Sequence, residues 1–133
     1  MRLQNWQTLF AKFIDQRRRM KFSWGKNDCC LFSADSVLTI TGKDFAEAYR
    51  GTYSDEASAQ KLIAQFGSLE QLCSSLMNIT PVNATYADIG DVVLASYAGR
   101  ELLGVANGVH ALAVSSEGII LLPLAVCTKT WKV

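Results

Sequence analysis

Cys29 and His110 are the two side chains of this sequence that could act together as a nucleophile and a general base. Cys29 sits in the stretch "KFSWGKNDCCLF", residues 21–32, directly after Asp28. The apolar series Leu31, Ala34, Val37 and Leu38 predicts a helix that begins near Asp28 and stops at Gly42. Asp28 then serves as the N-cap and Cys29 falls in the first turn. Free N–H groups and partial positive charge at a helix start lower a thiol pKa and stabilise a developing oxyanion. Cys30, turned by about 100° around the helix axis, is expected to pack inward while Cys29 faces out. His110 is the only histidine and opens a predicted strand, Val109–Ser115, in which His110, Leu112 and Val114 share one face. If that face meets the helix, the imidazole reaches the thiol, which is the arrangement of Cys–His hydrolases. A cysteine acting as a small buried hydrophobe and a structural histidine form the competing reading. Both readings stay open, because such pairs meet only in the fold.

The remaining cysteines, Cys73 and Cys127, add no C-x2-C spacing to the adjacent pair. Neither a disulfide framework nor a metal site is expected, and no cofactor is implied.

Two contrasting halves must position these groups. From residue 1 to about 79 the periodicity is helical. Leu3, Trp6, Phe10, Phe13 and Ile14 form one amphipathic stripe, ending in Arg17, Arg18 and Arg19, which suit a helix C-terminus. After the Cys29 helix come an expected helical turn at Asp44–Tyr49 and a helix capped by Ser54 that ends at Gly67. Ser68 with Gln71 opens a last helix through Leu72 and Leu76. Beyond Pro81, Val92–Ser96, Leu102–Ala106, Val109–Ser115 and Ile119–Leu122 read as strands, the last two joined in a hairpin at Ser115–Gly118. Helices followed by antiparallel strands predict one α+β domain over 1–133, with N-terminal helices packed on a C-terminal antiparallel sheet. Arg50 and Tyr53 are read as packing or hydrogen-bonding residues, Trp24 as a plug of the core edge or the lining of a groove beside Cys29, and the apolar C-terminal strand ending at Trp131 as sheet interior or docking surface.

Composition narrows the partners. A net charge of +1 gives no global field toward nucleic acid. The longest uncharged apolar run falls short of the roughly 18 residues that a membrane helix needs. The N-terminal residues lack a continuous apolar signal core, so synthesis into a reducing cytoplasm is expected.

Trp24-Gly25, Asp28-Cys29, "GDVV" (90–93) and "HALAV" (110–114) follow the order found in NlpC-type cell-wall peptidases, which are papain-like. With "TGKD" (41–44), "RGTY" (50–53), "GDVVL" (90–94), "EGIILLPL" (117–124) and Trp131, the chain more closely resembles a family encoded among tail genes of bacteriophages and prophages. The resemblance implies Cys29 as nucleophile and His110 as base of a peptidase acting on peptidoglycan stem peptides. It implies tail hub or tip proteins as partners, and a path from the host cytoplasm to the virion tail. Phe22 stands where those peptidases usually carry a tyrosine whose hydroxyl serves the oxyanion site. The position expected opposite His110, Pro123, offers no polar side chain to orient the imidazole. The alternative implied by these departures is an inactive NlpC-like module that packs against tail hub proteins.

Overall fold

The structure, a computed structural model, describes residues 1–133. Four helices precede an antiparallel six-stranded sheet, so the chain is α+β. Helix α1 (Trp6–Arg17) buries Phe10 and Phe13 from the predicted stripe. Helix α2 (Cys29–Thr41) is apolar around most of its circumference, because α1, the sheet and the loop after it cover its sides. Its ends are set as expected. Asp28 accepts the Leu31 N–H, and Gly42 takes the left-handed φ of 79° that lets its N–H reach the Leu38 carbonyl.

Helix α3 (Glu56–Phe66) is capped by Asp55 rather than Ser54. The Asp55 carboxylate takes the Ser58 N–H while the Ser58 hydroxyl accepts from the Asp55 N–H, a reciprocal box that displaces the cap by one residue. Ser68 caps α4 (Leu69–Met77) by accepting the Gln71 N–H at 3.1 Å. The expected helical turn over Asp44–Tyr49 forms without extending into a helix, with the Tyr49 and Arg50 N–H groups both on the Ala46 carbonyl. Hydrogen-bonded turns stand there, because the Asp44 carboxylate takes the Ala46 N–H and is itself held by Arg50.

The strands are β1 (Val82–Asn83), β2 (Val92–Tyr97), β3 (Arg100–Ala106), β4 (His110–Ser115), β5 (Gly118–Pro123) and β6 (Cys127–Trp131). Their order across the sheet is β1-β6-β2-β3-β4-β5. The hairpin between β4 and β5 has the expected register, with Val114 opposite Ile119 and His110 opposite Pro123. β6 is sheet interior: it inserts between β1 and β2, and Trp131 is wholly buried with its indole N–H on Ser74 Oγ at 3.0 Å. One sheet face carries Val92, Leu94, Leu103, Val105 and Leu112 against the helices. The other face buries small residues, Ala95, Ala106, Ala111 and Ala113, together with Val93 and Leu122. Leu124 and Val126, from the 3-10 turn between β5 and β6, pack on that second core. The strands are therefore apolar on both faces: the helices close one core, and the β5–β6 connection packs on the other.

Candidate active site

The loop before Cys29 is fixed by buried polar side chains. Asn27 donates to the Met20 and Lys21 carbonyls and accepts from Arg17 Nη2 at 2.6 Å. Asp28 is 1% exposed, and its carboxylate accepts three hydrogen bonds. Oδ1 takes the Leu31 N–H at 2.9 Å; Oδ2 takes the Gly25 N–H at 2.9 Å and the Tyr53 hydroxyl at 2.6 Å. Gly25 is needed here twice over. Its φ is +78°, and a Cβ would strike the Tyr53 carbonyl. The predicted capping role of Asp28 is thus realised, and with it a function invisible locally: gripping a tyrosine 25 residues on.

Cys29 opens α2 as predicted, but its thiol does not face out. It packs with Cys30 against the core that contains Leu103, Leu72 and Cys73. Burial pushes the Cys29 thiol up to about 11 and the Asp28 charge adds to the rise, outweighing the N–H groups of Leu103, Cys30 and Cys29 itself. Cys30 and Cys73 are raised as well, chiefly by burial. At neutral pH Cys29 is a protonated thiol. The helix-start effect expected to activate it is present but smaller than desolvation.

The expected Cys29–His110 dyad is not formed. Cys29 packs on the core that holds Leu103 and lines a cavity with Arg100 and Glu101, so it lies by the first half of β3. The β3–β4 register places Val105 opposite Leu112 and Ala106 opposite Ala111. Continuing it sets Leu103 level with Val114, four residues from His110, or about 13 Å along the strand. The opposite end of α2 gives the same answer. Ile40, at the C-terminal turn, is where a Cβ on Gly90 would make contact, and Gly90 donates its N–H to Ala106, beside the start of β4. Cys29 and Ile40 are separated by about 16 Å of helix at 1.5 Å per residue. The nucleophile candidate marks one end of α2 and the histidine the other. His110 is instead the first residue after a turn in which Asn107 Oδ1 accepts both the Val109 and His110 N–H groups.

The groups that do surround Cys29 come from elsewhere. Trp24, Tyr53, Leu62, Arg100 and Glu101 line a cavity of about 70 Å³ beside the thiol. Water occupies about 30 Å³ per molecule in the liquid, so the enclosed space is that of about two waters. Phe22, at the position considered for an oxyanion tyrosine, packs edge-on against Trp24 with ring centroids 4.8 Å apart. Tyr53 supplies a hydroxyl beside the site, yet its proton is committed to Asp28, and burial with that hydrogen bond drives its pKa far up. Arg100 and Glu101 had no signal in the sequence; only the β2–β3 hairpin brings them over the α2 start.

A family model described as "Domain of unknown function (DUF6950)" matches residues 1–133. The chain belongs to this family. No curated protein and no solved structure matches it. In this DUF6950 domain no cluster of three or more His, Cys, Asp or Glu side chains has metal-binding geometry. No helix is long and apolar enough to cross a membrane. What the α2 start offers chemically is a neutral thiol, a saturated carboxylate and a hydroxyl already used as a donor.

Proposed function

We propose that this DUF6950 domain is a non-catalytic module built on the NlpC-type papain-like plan, which packs against tail hub proteins of a bacteriophage. The plan is supported by an Asp-Cys pair at the start of a helix that lies on an antiparallel sheet. The tail setting rests on the ordered motifs from "WG" to Trp131, and with it the path from host cytoplasm to virion tail. The observation that carries the non-catalytic reading is the separation of Cys29 and His110 by the length of α2. A thiol without a base, raised to about 11, leaves little thiolate to attack an amide at pH 7.

The test compares the protein and its Cys29→Ala variant on purified peptidoglycan, reading the release of new amino groups from stem peptides. Neither protein is expected to release any. Turnover that disappears in Cys29→Ala would restore the peptidase reading. Co-expression with the tail hub protein is expected to yield a stable complex with both the protein and Cys29→Ala.

A further inference from the structure

The two edges of the sheet are built differently. β1, at one edge, is only two residues long. β5, at the other, is a six-residue strand, "GIILLP", without a charged side chain. Native sheets usually blunt such an edge with charge, a bulge or a cover. Here the cover is partial. The Ile119 N–H points away from β4 and bonds the Arg18 carbonyl at 2.9 Å. Gly118 lets the Arg18–Arg19 backbone approach this closely, since a Cβ there would strike the Arg18 carbonyl. Because strand groups alternate in direction, the Ile119 C=O and both backbone groups of Leu121 point outward on the same edge. No backbone or side-chain group of the chain reaches them, as the bonding pattern of this edge ends at Ile119.

Beside these open groups lies an open groove of about 670 Å³ between α1 and β5. Ala11 and Ile14 form one wall and Ile119 and Leu121 the other, with Arg18 at its end. Leu121 is 57% exposed although Leu112, opposite it on β4, is core. The Arg18 side chain is 65% exposed and meets only Asp15, at 3.8 Å. Arg19 is exposed next to it.

We propose that the β5 edge is the docking site for an extended segment of a partner protein, apolar at alternate positions and carrying carboxylates at its ends. Such a segment would continue the sheet, satisfy the open groups of Ile119 and Leu121, and place one apolar side chain in the groove. Its carboxylates would meet Arg18 and Arg19. A second copy of this chain is a poorer occupant. Two β5 edges paired about a two-fold would set each Arg18 and Arg19 beside the Pro123 end of the other strand, where β5 offers no acidic side chain to meet them. The inference names the surface for the packing role proposed above and rests on that role.

The probe is a ten-residue peptide of alternating valine and threonine with aspartate at both ends, compared with the same peptide ending in lysine. Binding is read by titration and by hydrogen exchange of the Leu121 amide. The aspartate-ended peptide is expected to slow exchange at Leu121 by at least about tenfold, and Arg18→Glu to weaken its affinity by at least about tenfold. The Arg18→Glu side chain is on the surface, so retained circular dichroism will separate lost binding from lost fold. Unchanged exchange at Leu121, equal binding of the lysine-ended peptide, or a dimer that protects the Leu121 amide would each overturn the proposal. A hub complex that survives Arg18→Glu and Leu121→Asp would overturn it too while leaving the packing role intact. Peptidoglycan turnover by Cys29 would remove the packing role itself, whatever the peptides do.

Discussion

Asp28 joins three segments through one carboxylate: the first turn of α2, the Gly25 turn and the Tyr53 hydroxyl. Removing it loses a cap worth about 1 kcal/mol and orphans a buried hydroxyl, which costs about 1–3 kcal/mol. Asp28→Ala is therefore expected to destabilise the fold by about 3 kcal/mol in urea titration, and Tyr53→Phe by about half of that. At Cys29 the expected outcome is inertness. Iodoacetamide should alkylate it slowly at pH 7, with a midpoint near 11 rather than the ordinary thiol value of 9.0. His110→Ala should leave that midpoint where it is, since no imidazole stands near the sulfur; a midpoint that moves would contradict the register. The cap was legible in the sequence because a cap is local, an acidic residue one step before an apolar period. The Tyr53 grip and the burial of the thiol were not, because both depend on chain that arrives from elsewhere in the fold.

At the scale of elements, α2 is tied to its surroundings by a chain of ion pairs. Arg17 from α1 and Arg50 from the following loop each bond a different oxygen of Asp35, at 2.8 and 2.7 Å, and Arg50 also holds Asp44. Arg17 lies over the Phe13 and Phe32 rings, so the first residue of the basic run is structural and Arg18 and Arg19 are left outside. Asp35→Ala leaves two half-buried guanidinium groups short of a partner. The expected loss is about 2 kcal/mol, below the 3–5 for a fully buried pair because water still reaches these groups. The Arg50 guanidinium holds the Asp44 carboxyl below its ordinary 3.8. A depressed folded-state pKa contributes stability that is present above the unfolded value and lost as pH falls through the folded one. Asp44→Asn should therefore flatten the decline in melting temperature below about pH 4, and an unaltered decline would assign it to other carboxylates. The caps of α2 and α4, the β4–β5 turn and its register were readable because each is specified within a few residues, whereas the α3 cap fell one residue late on Asp55. The turn over 44–49 was readable as a turn, but not what halts it there: Asp44 bonds the backbone two residues on and is held by the later-arriving Arg50.

At the scale of the molecule, three thiols sit together in one core, and all are raised by burial. A raised folded-state pKa contributes stability that is fully present below the unfolded value and is lost as pH rises. Urea midpoints should fall from about pH 9 toward 11, and Cys73→Ala should shallow that fall; a flat profile would mean that the thiols ionise in place. The class of fold could be read from helices preceding strands. Which end of α2 meets which end of β4 could not, since β3 runs back between β2 and β4 and reverses the level of every residue after it. That reversal, which no periodicity records, is what divides Cys29 from His110. The insertion of β6 between β1 and β2 bears on synthesis. β2 emerges from the ribosome with one flank unpaired, and the strand that must fill it lies more than thirty residues downstream. Until Cys127–Trp131 has been translated, Val92–Ala95 presents an apolar ribbon to any other nascent chain. Polypeptides released short of residue 127 are thus expected to be clients for chaperones and proteases.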